Sequence, residues 1–247
     1  MLQSLQALQY LKTIEIPMKN ELRDKFVYLP PFDRSRYKKT LIFDMDETLI
    51  HCVDDIEAEN PQFVIKVPID GEDIDAGINV RPYALEWLET VNQQFEVIVF
   101  TASHQSYADS VLDFIDPNRE FIQKRLYRDS WYETEDGVYI KDLRIFANRR
   151  LEDLIIVDNA VYSFGFQLNN GIPIIPYYND PNDEELFHLV PFLEILANAT
   201  DIREKNREAF QLEEMANEEL GEFNRIWEVS QQIYTLEEEP EAYEYTE

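Results

Sequence analysis

Lys39-Thr40-Leu41-Ile42-Phe43 runs directly into Asp44-Met45-Asp46-Glu47-Thr48. The first half is a short apolar run with β-formers, which suits a strand buried on both faces. The second half places two carboxylates two residues apart where that strand ends and the backbone turns, so both can converge on one point. Ligands in open α/β sheets bind beyond the carboxyl ends of the strands. Two carboxylates there repel each other unless a proton or a cation lies between them. A hard dication such as Mg²⁺ suits oxygen donors and keeps positions open for phosphate.

Working outward, the same pattern recurs. Phe95–Phe100 is a second buried strand and ends at Thr101-Ala102-Ser103, ahead of a helix over Ser106–Phe114. Hydroxyls and backbone N–H groups at a helix start favour anions. Leu126-Tyr127-Arg128 is expected as a third strand, Leu154–Val157 as a fourth and Ile172–Ile175 as a fifth. Lys141 follows the short strand Val138–Ile140, which Gly137 turns into a hairpin. Asp158-Asn159 follows the fourth strand as candidate metal ligands. Phe63–Ile69 and a segment ending at Val80 flank Asp70-Gly71, a hairpin signal. Arg81-Pro82 opens a helix, and Glu184–Ala197 reads as another. Strands alternating with helices predict a doubly wound parallel sheet, with a small β-hairpin insert and a long C-terminal helix.

Composition sets the class. The 247 residues are 45% hydrophobic and 13% aromatic, enough to build a core and to exclude a wholly disordered chain. The net charge of -28 opposes direct nucleic-acid binding. No apolar run is long enough to span a bilayer. A single cysteine, Cys52, excludes a disulfide framework and a multi-cysteine zinc site. With no secretory leader read at the start, a soluble nuclear or cytoplasmic protein is expected. Residues 1–37 read as a lead-in of two short helices broken at Pro17, residues 38–200 as the catalytic domain, and 201–247 as an acidic segment. That last segment holds 15 acidic against 4 basic side chains. Phe210, Met215, Leu220, Phe223, Ile226, Trp227 and Ile233 give it one apolar helical face over 201–235, a candidate surface for a protein partner or self-association. Leu236–Glu247 is expected to be disordered.

The stretch from Lys39 to His51 resembles the signature of the small C-terminal-domain phosphatases, also called NLI-interacting-factor-like phosphatases, of the haloacid dehalogenase superfamily. The family's other blocks follow in its order: Arg81-Pro82, Phe100-Thr101-Ala102-Ser103 with Tyr107-Ala108-Asp109, Tyr139–Leu143, Ile155–Asn159, and Asp183–Leu186 with Val190–Leu193. The resemblance implies Asp44 as the nucleophile of an aspartyl-phosphate route and Asp46 as general acid and base. It implies Mg²⁺ held by Asp44, the Asp46 backbone carbonyl and Asp158, with Asn159 nearby. It implies Thr101, Lys141 and Arg128 on the substrate phosphate, and a phosphoserine or phosphothreonine protein as substrate. Met45 and Ala160-Val161 depart from the family pattern. Asp54, Ala76 and His104 stand near positions that are more apolar in members acting on the polymerase tail, and a groove made polar there binds proline less well. The acidic chain should also favour phosphosites flanked by Lys or Arg. The alternative is a catalytically weak scaffold on the same fold. Retention of Asp44, Asp46, Thr101, Lys141 and Asp158 together argues against it.

Overall fold

A computed structural model of the chain describes residues 9–69, 71–135 and 137–217. The elements are β1 (Lys39–Phe43), β2 (Ile50–Cys52), α1 (Ile56–Glu59), β3 (Phe63–Ile69), β4 (Glu72–Val80), α2 (Ala84–Asn92), β5 (Phe95–Phe100), α3 (Gln105–Ile115) and β6 (Lys124–Leu126). After them come β7 (Tyr132–Glu133), β8 (Tyr139–Ile140), β9 (Leu154–Asp158), β10 (Gly171–Pro173), α4 (Glu185–Asn198), α5 (Ile202–Phe210) and α6 (Leu212–Asn217).

β1, β5 and β9 are apolar almost throughout because they lie at the centre of a sheet covered on both faces. Side chains alternate between the two faces. Leu41, Phe43, Val97, Val99, Ile155 and Val157 join one core with α2, α3 and α4. Ile42, Ile98, Phe100, Leu154 and Ile156 join the other, with Leu143, Phe146 and Phe164. The sheet order is β10-β9-β1-β5-β6, and every pair is parallel. The chain therefore winds outward from β1 through β5 to β6, then crosses back to β9 and β10. The order reverses between β1 and β9, which is where such sheets form a crevice. In register, Phe43 stands opposite both Val99 and Val157, so the three central strands end level with one another.

Several expectations change in detail. The insert is a three-stranded antiparallel sheet, β2-β4-β3, rather than a hairpin alone, because Ile50–Cys52 pairs with Ile78–Val80. The third parallel strand stops at Leu126, and Arg128–Ser130 forms a 3₁₀ turn. The fifth strand is Gly171–Pro173, after which the Ile174 N–H donates to the Asp158 carbonyl at 3.2 Å. In the lead-in, a 3₁₀ turn over Arg23–Lys25 replaces the second short helix. That segment is held to the fold by Val27 N–H on the Ile145 carbonyl (2.8 Å) and Leu29 N–H on Asn148 Oδ1 (3.0 Å).

The helix expected over 201–235 is divided. Gln211 takes a left-handed conformation (φ 50°) and separates α5 from α6. Ile202, Leu212 and Ala216 are buried, and the Phe210 ring packs edge-on against Phe192 at 5.4 Å. This part of the acidic segment docks on its own domain. The remainder of the expected helix and the tail lie outside the described residues. Among the described residues, no helix is long and apolar enough to cross a membrane.

Candidate active site

The crevice between β1 and β9 is where the carboxylates meet. Asp44 follows β1 with its N–H on the Val157 carbonyl (3.0 Å), and Asp158 ends β9. Lys141, just after β8, is brought over them by its own N–H on the Ser163 carbonyl (2.6 Å). Its Nζ donates to Asp44 Oδ1 and to Asp158 Oδ2, each at 2.6 Å. Trp131 and Phe100 wall the ammonium, with ring centroids 4.9 and 6.0 Å away. Asp158 is further fixed by Ser163 Oγ donating to Oδ2 (2.6 Å) and Ala160 N–H donating to Oδ1 (2.7 Å).

One ammonium thus faces two buried carboxylates. Burial pushes the Asp44 carboxyl up to about 8; Lys141 opposes the shift, and Asp158 and Asp46 add to it. Burial alone would lower Lys141, but Asp158 and Asp44 outweigh it and hold its pKa above the ordinary lysine range. The two shifts agree. The trio is short of positive charge, and either a proton on Asp44 or an added cation corrects the deficit.

Asp46 faces a different set of groups. Ser103 Oγ donates to its Oδ2 at 2.7 Å and the Tyr107 hydroxyl to its Oδ1 at 3.0 Å, while Thr101 Oγ1 lies 3.4 Å from Oδ2. Thr101 is fully buried and its Oγ1 accepts the Ser103 N–H, which pins the start of the loop after β5. Burial, followed by the charge of Asp46, raises the Tyr107 hydroxyl and keeps it a donor. His104 caps α3 through Ser106, which aims the first turn carrying Tyr107.

Asn159 Oδ1 accepts from Thr48 Oγ1 at 3.3 Å, which sets it against the loop after β1. Arg128 does not touch the carboxylates; its Nε donates to the Ala102 carbonyl at 2.7 Å, beside Thr101. A buried clamp holds the loops together. Arg81 pairs with both oxygens of Asp183 at 2.7 Å and donates to the carbonyls of Thr48 (3.1 Å) and Ile175 (2.9 Å).

The donors suit Mg²⁺ in kind. Asp44, Asp158 and Asn159 offer hard oxygens around a pocket deficient in positive charge, and the Asp46 carbonyl belongs to the same loop. Among the described residues, no group of three or more His, Cys, Asp or Glu side chains forms a metal nest. The three histidines stay apart: His51 pairs with Glu47 (3.1 Å), His104 caps α3 and His188 faces Glu184 on the surface (3.4 Å). Cys52 is half-buried, and burial raises its thiol pKa, so it lacks the thiolate character of a reactive cysteine.

From the sequence, Ser103 is expected only among the hydroxyls that favour an anion, and Tyr107 and Ser163 have no assigned role. A signal existed for two of them, since Ser103 and Tyr107 lie in the loop and first helical turn after β5. Ser163 has none, because its carboxylate partner is met only after a 3₁₀ turn.

The model of the NLI interacting factor-like phosphatases matches residues 39–203. The chain is 43% identical to "CTD small phosphatase-like protein 2" of Dictyostelium discoideum over 78% of its own length and 33% of that protein. It is 36% identical to "CTD small phosphatase-like protein 3" of Caenorhabditis elegans over 79% of its length and 68% of that protein. It thus spans about a third of the first relative and about two thirds of the second. A solved structure of Fcp1, an RNA polymerase II CTD phosphatase, overlaps 91% of this chain and 57% of that one, with TM-score 0.49 and 19% identity. By the family match and these relatives, the chain belongs to the NLI interacting factor-like phosphatase family.

Proposed function

We propose that this protein is a Mg²⁺-dependent serine/threonine phosphoprotein phosphatase, nuclear or cytoplasmic, working through an aspartyl-phosphate. The observation that carries this is the convergence of Asp44, Lys141 and Asp158 in one buried trio beside a separately held Asp46. The names of its relatives, CTD small phosphatase-like proteins, support a phosphoprotein substrate.

Asp44 attacks phosphorus in line, forming the carboxyl-oxygen-to-phosphorus bond as the bond to the serine or threonine oxygen breaks. Asp46 gives that oxygen its proton. Asp46 then takes a proton from water, whose oxygen attacks phosphorus and releases Asp44 and inorganic phosphate. Thr101, Lys141 and Arg128 bind the phosphoryl oxygens, where transition-state charge is spread. Asp44, the Asp46 carbonyl, Asp158 and Asn159 would hold Mg²⁺, which supplies charge neutralisation when bound. Between β3 and α3 a cleft of about 420 Å³ is lined by Pro68, His104, Ser106, Asp109 and Asp113 among others. Of Asp54, Ala76 and His104 the lining includes His104, and with Asp109 and Asp113 beside it this supports a substrate range not built on a flanking proline.

The test is hydrolysis of p-nitrophenyl phosphate and of a phosphoserine peptide by the purified chain. Activity should vanish with EDTA and return with Mg²⁺. Hydrolysis that persists in EDTA, or none under either condition, would contradict the proposal.

A further inference from the structure

A second cleft, of about 750 Å³, opens beside the phosphoryl site along the β7–β8 hairpin. It is lined by Ala102, Arg128, Trp131, Val138, Tyr139 and Tyr162, with Tyr10 on one flank. No residue of the β2–β4 sheet lines it, so it is separate from the groove of the insert. Its size suits a ligand side chain or small molecule.

The lining is continuous with the candidate active site. Ala102 follows Thr101 directly, and Trp131 Nε1 donates to the Thr101 carbonyl at 2.9 Å. The same indole lies 4.9 Å from Lys141 Nζ. Phe100, Trp131 and Tyr139 form an edge-to-face ladder with centroid spacings of 6.1 and 6.4 Å, reaching from the core to the surface. Tyr139 and Tyr162 are 39% and 42% exposed, so two large rings stand in water at the mouth. The walls are nonetheless fixed. Trp131 is nearly wholly buried, and Arg128 is tied to the Ala102 carbonyl.

With a phosphoresidue bound beside Thr101, the adjoining peptide would pass Ala102, which lines the cleft. An extended peptide advances about 3.3 Å per residue, so a near neighbour of the phosphoresidue reaches the cleft. An apolar side chain there would cover the exposed rings and meet their edges favourably. Resting on the phosphatase proposal, we infer that this cleft is a specificity subsite for the substrate protein, taking one aromatic or large aliphatic side chain within three residues of the phosphorylated one.

The experiment is a panel of phosphoserine peptides in an alanine background, with a single Phe scanned over the three positions on either side. At one position Phe should raise kcat/KM over Ala by about tenfold or more, the scale of burying one large apolar side chain. Tyr139→Ala and Tyr162→Ala should each bring that Phe-to-Ala ratio toward one. The ratio is taken within each variant, so a general change in turnover cancels. A ratio near one at every position in the wild-type chain overturns the subsite, including the case where another segment of this chain fills the cleft. A ratio that survives both substitutions overturns it too. Failure to hydrolyse any substrate, p-nitrophenyl phosphate included, instead overturns the phosphatase proposal on which the subsite rests.

Discussion

Asp44 and Asp46 are two residues apart, yet they occupy different electrostatic settings. Asp44 shares a buried ammonium with Asp158, whereas Asp46 is held by the hydroxyls of Ser103, Tyr107 and, more loosely, Thr101. That division suits one carboxylate to attack and the other to move protons. Tyr107→Phe removes a hydrogen bond to a charged group and should lower turnover of a phosphoserine peptide by about tenfold. The loss on p-nitrophenyl phosphate should be smaller, because that leaving group needs little protonation. Equal losses on both substrates would detach Tyr107 from proton transfer. The pH dependence follows from Asp44, whose pKa is raised by burial to about 8. A carboxyl raised in the folded state favours folding in its protonated form. The associated stability is present below its ordinary pKa of about 4 and is lost as pH rises through about 8. Lys141, raised above its ordinary range, stays charged across that window. With EDTA present, Tm should therefore fall between pH 6 and pH 8. Mg²⁺ should raise Tm more at pH 8 than at pH 6, because the proton that competes for Asp44 is partly lost at the higher pH. An equal Mg²⁺ effect at both values, read by thermal denaturation, would contradict this assignment of charge.

At the scale of elements, the Arg81–Asp183 clamp joins the loop after β1 to the start of α4, and the Arg81 side chain is wholly buried. Arg81→Ala leaves a largely buried carboxylate without its partner and should cost about 3–5 kcal/mol. Urea unfolding would read this as a lower midpoint with an unchanged slope. A change below about 1 kcal/mol would mean that solvent already reaches Asp183. The elements that carry the site were legible in the sequence wherever burial alone decides them. β1, β5 and β9 are apolar almost throughout, and Asp44 and Thr101 just beyond the first two and Asp158 at the end of the third take their places at strand ends from that. What was not legible depends on partners distant in the chain. β2 is three residues long and becomes a strand only by pairing with β4. Arg128 leaves the β-conformation for a 3₁₀ turn in which its N–H bonds the Ser103 carbonyl at 3.3 Å. Gln211 breaks a helical pattern with neither Gly nor Pro to announce it. The pairing of Ser103 and Tyr107 with Asp46 required the tertiary structure, since either hydroxyl alone reads as part of a helix start.

Across the whole molecule, two cores flank one sheet, and the chain beyond residue 200 contributes to both: Ile202 to one, Leu212 and Ala216 to the other. Truncation after residue 200 should thus destabilise the domain. Losing the burial of Ile202 and Leu212 alone amounts to about 3–6 kcal/mol, an upper estimate from transfer energies. A truncated chain with an unchanged Tm would show that these contacts contribute nothing to the fold. Both cores also serve to hold three strand ends level, so that Asp44, Thr101 and Asp158 meet at the crevice with Lys141 above them. The covalent route through Asp44 is the central claim of that arrangement. It is tested most directly by rapid quenching of a reaction with a phosphorus-32-labelled phosphoserine peptide, followed by peptide mapping. The expected result is a transient, hydroxylamine-labile label on the peptide containing Asp44, formed before phosphate release and absent from Asp44→Asn. Turnover by wild type with no label on that peptide, or undiminished turnover by Asp44→Asn, would contradict it.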